Sequence, residues 1–172
     1  MAVSFRPLER ADFPLLVKWL ALPHVAPWWS DEPTMTAVEA SYGPTVDGAD
    51  PTEGFIIDLE GRPVGFIQRY LLDDYPAWSV ALGIERAAGI DYMIGVPELT
   101  GVGLGPIIVD SFTVMTFERY RDIDRMGVAV QQANHRSWRA LEKAGYERVF
   151  EGMIESDDPS DDGPSYVYVR QR

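Results

Sequence analysis

From Leu104 onward the apolar residues Leu104, Ile108, Phe112 and Met115 return every three or four positions, the period of a helix that buries one face. Just before it, Gly89-Ile90-Asp91-Tyr92-Met93-Ile94-Gly95 is an apolar run of strand length broken by one carboxylate. Between the two lies Gly101-Val102-Gly103-Leu104-Gly105, which reads as a turn. Met126 to Val130 predicts a second strand. After it Asn134 is a plausible N-cap for a helix whose buried face is Trp138, Leu141 and Ala144 and which Gly145 ends. Strand, glycine loop, helix, strand and capped helix thus form one block from Gly89 to Lys143, and the rest of the chain reads as walls around it.

The first half reads as follows. Val3 to Arg6 predicts a strand that Pro7 ends, and Phe13, Leu16 and Leu20 predict a helix from about Ala11, closed by Pro23. Thr34 to Ser41 suits a short helix, and the turn formers from Tyr42 to Pro51 predict a loop. Gly54 to Glu60 and Val64 to Leu71 form a hairpin around Glu60-Gly61-Arg62-Pro63. On its second strand Val64, Phe66, Gln68 and Tyr70 share one face, so an apolar face runs out into polar groups, as at a pocket's edge or where a strand meets solvent. Leu71 to Trp78 and beyond predicts a loop. Near the C-terminus Tyr166-Val167-Tyr168-Val169 alternates as a last strand.

With 172 residues, 46% of them hydrophobic, the chain is long enough for one well-buried core and suggests a single domain, 1–172. The absence of cysteine excludes a disulfide framework, a thiolate metal site and a cysteine nucleophile. Neither His24 nor His135 has a spaced partner for a metal or a triad, so no metal site is expected and both read as structural or surface residues. No signal-peptide pattern opens the sequence, and no apolar run approaches the roughly 18 residues of a membrane span, so a cytoplasmic location is expected. The net charge of −12 opposes nucleic acid and anionic membranes and favours a cationic small molecule, although solubility alone also accounts for such acidity.

Candidate chemistry gathers in four places. Glycines let backbone approach a ligand closely, and the helix after Gly103 directs unpaired N–H groups and a positive dipole end at the loop, an arrangement suited to phosphate. With no Lys or Arg between Ile94 and Glu118, backbone N–H groups would do most of that work. Asp91 is a carboxylate in an apolar strand, costly unless paired or wet, and fits either a structural hydrogen bond or proton transfer. Trp28 and Trp29 are adjacent and cannot both face one core from a regular strand, so one either lids the core or lines a pocket. Carboxylates among aromatic rings (Asp73, Asp74, Tyr75, Trp78 and then Glu85) suit an aminated sugar, and a solvated acidic loop is the plain alternative. The same holds for the acids from Glu151 to Asp162.

These residues, in order, match a known family. Trp28-Trp29, Val64-Gly65-Phe66-Ile67-Gln68-Arg69-Tyr70, Gly89-Ile90-Asp91, Gly103-Leu104-Gly105, Leu141-Glu142-Lys143-Ala144-Gly145-Tyr146 and Asp162-Gly163-Pro164 span nearly the whole chain. The set resembles the Gcn5-related N-acetyltransferases (GNAT), and more narrowly the aminoglycoside 6'-N-acetyltransferases. The resemblance implies an α/β fold with a mixed, mostly antiparallel sheet flanked by helices and splayed at the acetyl-CoA site. It implies acetyl-CoA as co-substrate, bound by Tyr92, Met93, Ile94, Thr100, Gly101, Val102, Gly103, Leu104, Gly105, Asn134 and Ser137. It places the aminoglycoside against Trp28, Trp29, Asp31, Gln68, Tyr70, Asp73, Asp74, Glu85, Asp91, Asp157 and Asp162.

The implied reaction is direct transfer in a ternary complex. Asp91 holds the amine and accepts its proton, and a backbone N–H near Tyr92 or Met93 faces the oxyanion. Two residues depart from the family. Leu141 stands where many members have a tyrosine that protonates the departing thiolate, and Ala129 where close relatives have an aspartate. Three alternatives follow: Ser137 replaces that acid, a water does, or none is needed. Rival readings are another acceptor (a polyamine, an amino acid or a siderophore lysine) and a non-catalytic binder of acetyl-CoA or aminoglycoside. The protein is expected to be a monomer or homodimer.

Overall fold

A computed structural model describes all residues, 1–172. Its seven strands are β1 (Val3–Pro7), β2 (Glu53–Leu59), β3 (Arg62–Leu71), β4 (Ala87–Ile94), β5 (Arg125–Gln131), β6 (Glu147–Gly152) and β7 (Ser165–Gln171). Its helices are α1 (Phe13–Leu20), α2 (Met35–Val46), α3 (Pro76–Leu82), α4 (Leu104–Arg119) and α5 (His135–Lys143). The strands form one open, mostly antiparallel sheet in the order β1-β2-β3-β4-β5-β7-β6, the α/β architecture expected. The one parallel pair, β4 with β5, aligns Ala87 with Arg125 and Ala88 with Met126. No helix is long and apolar enough to cross a membrane. The chain resolves into two compact units, Met1–Arg69 with Asp91–Thr100, and Tyr70–Ile90 with Gly101–Arg172.

In the first unit, Phe13, Leu16, Leu20, Val38, Ile56 and Phe66 build a core between the sheet and helices α1 and α2. The hairpin turn is tighter than expected. Glu60 and Gly61, both with positive φ, make a two-residue loop, and Leu59 pairs directly with Arg62. Pro63 therefore lies inside β3, and a bulge beside Asp58 absorbs the irregularity. The expected loop after Ser41 is also corrected: α2 continues through Gly43 and Pro44 to Val46. Pro44 sits in the last turn, where it has no N–H to give to the Ala40 carbonyl, so other contacts must hold the chain helical. Burial of Tyr42 edge-on against Phe66, and the forked guanidinium of Arg10 joining Glu39 to Asp47, hold that turn in helical form.

A second ion pair ties strand to helix. Arg6 donates two hydrogen bonds to Asp12, at 2.8 and 2.7 Å, and the Glu9 N–H adds a third. Burial pushes the Asp12 carboxyl up, but these donors and the Arg6 charge outweigh it and leave the group below its usual value. A depressed folded pKa means the stabilisation is present above the unfolded value, roughly 3.9, and is lost as pH falls through the folded one. Asp12→Asn is therefore expected to destabilise the protein at pH 7 by about 2 kcal/mol, with the gap to wild type closing in acid, as denaturant titrations at pH 7 and pH 3 would show.

In the second unit Leu72, Leu82, Ile84, Ala87, Ile154 and Val167 form a core with Tyr70 and Trp78 packed on it. Here the expected loop after Leu71 is replaced by a 3-10 turn (Leu72–Asp74) and α3, which opens with Pro76 at its first position and closes on Gly83 in the left-handed conformation. Strand β6 was not legible in the sequence. It is an edge strand exposed from Glu147 to Glu151, so no burial alternation marks it, and it is held by its ladder to β7. At the far end, the guanidinium of Arg172 donates to the carbonyls of Phe117, Tyr120 and Ile123 and caps the C-terminus of α4.

Candidate active site

Contacts of Val64 with Gly95, Gly65 with Met93 and Gln68 with Asp91 run in opposite order along β3 and β4 and fix their antiparallel register. The face carrying Phe66 and Gln68 is also the face of Asp91 and Met93, a match that the register of the two strands decides. Phe66 and Met93 are buried in the core, while Asp91 is half-buried one step along the same face. There Gln68 Nε2 donates to Asp91 Oδ2 at 3.0 Å. A neutral amide donor orients this carboxylate oxygen and brings no charge of its own to the contact, an arrangement compatible with holding an ammonium group and receiving a proton.

Nearby in the same unit, Pro27 helps fold Ala26–Trp28 into a 3-10 turn. This gives the two tryptophans different roles. Trp29 packs edge-on against Phe66, with ring centroids 6.0 Å apart, whereas Trp28 stays half-buried outside that core. Asp31 is held at both oxygens: Ser41 Oγ donates at 2.7 Å and Tyr42 Oη at 2.9 Å. Tyr92 and Ile94 are half-buried on β4. Thr100 closes the segment after β4 by donating its hydroxyl to the Pro97 carbonyl.

In the second unit the glycine loop behaves as its composition predicts. Gly101 (φ 78°) and Gly103 (φ 90°) are in the left-handed region, and Gly103 is the N-cap of α4 with no side chain capping the helix. The first N–H groups of α4 thus lack a side-chain acceptor, which fits an anionic group placed there. Leu104 is buried and contributes only backbone, while Val102 is exposed. A Cβ on Gly105 would lie 3.3 Å from Ala140, so this small residue lets α4 and α5 approach. Asn134 caps α5 by accepting the Ser137 N–H at 3.3 Å, and Trp138 anchors it through the Gln132 carbonyl and the edge of Tyr166. Leu141 is fully buried and Ala129 packs against the core, so both hydrocarbon side chains serve packing.

The acids of this unit separate by role. Tyr70 accepts a hydrogen bond from Trp78 Nε1 and stacks edge-on with Tyr75, so the two aromatic residues read beside these acids in the sequence gather at Tyr70. Asp73 accepts the Arg86 N–H at 3.4 Å, and Asp74 and Glu85 are exposed. The C-terminal acidic segment is not loose chain. Asp158 caps a 3-10 turn through the Ser160 N–H, and Ser156 donates to Asp161 at 2.6 Å. Asp157 and Asp162 are exposed, but Asp161 is half-buried, and no sequence signal distinguished it from its neighbours.

Burial pushes the Asp161 carboxyl above its usual value. Ser156 pulls it down, and the charges of Asp158 and Asp162 push it up. A raised carboxylate pKa disfavours the ionised form in the fold, so the penalty exists above the folded pKa and vanishes below the unfolded one, about 3.9. Asp161→Asn is expected to raise the melting temperature at pH 7 and leave it unchanged near pH 3.

Comparison with known proteins accords with this geometry. Residues 9–154 match the family model of the acetyltransferase (GNAT) domain. Aminoglycoside N(6')-acetyltransferase type 1 of Klebsiella pneumoniae is 28% identical over 99% of this chain and 84% of its own. The crystal structure of AAC(6')-Ib with coenzyme A and kanamycin superposes with a TM-score of 0.80 at 28% identity, covering 99% of this chain and 95% of that one. AAC(6')-Ib with paromomycin and acetyl-CoA gives 0.81 at 26% identity, covering 100% and 94%. With the glycine-capped helix α4 and Asp91 on β4, and with a family model matching most of its length, the chain belongs to the GNAT acetyltransferases and is an acetyl-CoA-dependent N-acetyltransferase.

Proposed function

We propose that this enzyme transfers the acetyl group of acetyl-CoA to the 6'-amine of an aminoglycoside, and that residues 1–172 act as one acetyltransferase domain. The observation that carries the reading is Asp91, half-buried on β4 and oriented by Gln68 on the face that also carries Phe66, against which Trp29 packs. The chain-long likeness to aminoglycoside acetyltransferases supports the choice of acceptor.

In this reading acetyl-CoA supplies an activated acyl group, and the chain positions it. The N–H groups at Gly103, Leu104 and Gly105 hold the pyrophosphate, with Thr100, Gly101 and Val102 shaping the loop. Asn134 and Ser137 meet the pantetheine arm, and the backbone of Tyr92, Met93 and Ile94 lies along the thioester. Asp91 holds the amine and collects its proton as the new amide forms. The thiolate leaves without a tyrosine donor at Leu141, which a thiol pKa near 8.5 permits near neutral pH. Trp28, Trp29, Asp31, Gln68, Tyr70, Asp73, Asp74, Glu85, Asp157 and Asp162 contact the polycationic sugar. The reading includes a cytoplasmic location, no nucleic-acid partner, and a monomer or homodimer.

The test is release of CoA thiol from acetyl-CoA with kanamycin or tobramycin, which carry a 6'-amine, beside a relative with a 6'-hydroxyl. Release with the amine alone establishes acceptor and regiochemistry together. Release with neither drug, despite binding, would replace the enzyme reading with a binder, and absence of drug binding would redirect the search to polyamines and amino acids.

A further inference from the structure

His24 has no partner within its own sequence neighbourhood, yet the fold gives it one. Its Nε2 lies 2.8 Å from the carbonyl oxygen of Ile94. A carbonyl only accepts, so the imidazole carries its proton on Nε2 and donates. The reason for this bond lies in the strand geometry. Gly95 N–H donates to the Val64 carbonyl at 2.7 Å, and the Met93 carbonyl is so close to Gly65 that a Cβ there would stand 2.2 Å from it. Residues 93 and 95 therefore turn their backbone groups toward β3. Alternation turns the N–H and C=O of Ile94 to the opposite edge of β4, and there His24 takes the carbonyl.

Two further contacts hold the same point. A Cβ on Gly95 would fall 2.2 Å from the Trp19 ring, so α1 lies directly against the backbone that follows β4. His24 reaches the strand from the segment after α1, where Val25 is buried in the same core as Trp19.

We propose that His24 is a positioning residue for acetyl-CoA: it holds the Ile94 carbonyl and thereby keeps the strand extended, with the outward backbone groups of Tyr92 and Ile94 aimed at the thioester. This rests on the proposed placement of acetyl-CoA along β4. His24 touches neither substrate. It acts through the strand, whose last residue, Ile94, presents its N–H to the same edge.

The test compares His24→Met, which keeps volume without a donor, with His24→Gln, which keeps a donor. The Met variant is expected to weaken acetyl-CoA binding by calorimetry, and to lower kcat/KM for acetyl-CoA, about tenfold each, the loss set by one hydrogen bond. The acceptor KM should stay within about twofold, and Gln should recover most of the loss, a split that general destabilisation does not produce. Equal acetyl-CoA binding in wild type and both variants would overturn the proposal. If the Met variant does not fold, 15N spectra of the wild-type imidazole decide: a proton on Nε2 and a shift of the Gly95 amide on adding acetyl-CoA support the role, and an Nδ1–H tautomer overturns it. Should the wild type bind acetyl-CoA without acetylating any amine, the acceptor reading fails while the binding comparison still decides the role of His24. A wild type that does not bind acetyl-CoA would overturn both.

Discussion

Asp91→Asn is expected to lower kcat for acetyl transfer by about 10²–10⁴-fold, the range for losing a general base. The substitution is chosen because Asn keeps an oxygen that can accept the Gln68 amide proton, so orientation survives while basicity is lost. Drug affinity should weaken far less than turnover, since the other carboxylates proposed to face the drug are unchanged. Steady-state kinetics with a 6'-amino aminoglycoside, alongside calorimetric binding of the same drug, separates the two effects. A variant that turned over at the wild-type rate would remove Asp91 from the mechanism. Gln68→Ala, by contrast, leaves the base in place and loosens only its aim.

The second large effect is structural. Gly65→Ala would place a methyl group 2.2 Å from the Met93 carbonyl oxygen and 3.2 Å from the Ile57 side chain. The first neighbour is backbone and cannot rotate away, so β3 and β4 must separate where the strand assigned to the thioester lies. Overpacking of this kind costs about 3 kcal/mol, the upper end of the usual range. For a chain of this size that is roughly 6–12 °C in Tm, measurable by calorimetry or circular dichroism. Acetyl-CoA binding should fall as well. Gly61→Ala is a useful contrast: nothing lies within 4 Å of its Cβ, and it should show only the smaller cost of a positive φ. If Gly65→Ala melted like wild type, the close approach of β3 and β4 would be absent from the protein in solution.

The sequence by itself determined the block that carries the chemistry. Strand β4, the glycine loop, α4, β5 and the Asn134-capped α5 all lie within a few residues of their predicted bounds, because their signals are local: hydrophobic period, glycine conformation and a side-chain cap. The shared face of Gln68 and Asp91 was half legible. Alternation placed each residue on its strand, but only register brought the amide to the carboxylate. What the tertiary structure decided are the features whose partners are far apart in the chain. Pro44 reads as a helix stop until Tyr42 meets Phe66 and Arg10 joins Glu39 to Asp47. The exposed edge strand β6 has no burial pattern to read and exists because β7 pairs with it. Asp161 resembles its acidic neighbours until the fold buries it, and His24 looks isolated until the alternation of β4 turns the Ile94 carbonyl toward it. Propensity and capping act over a few residues and are written in order along the chain, whereas desolvation and register depend on which segments meet, and that is settled only when the chain packs.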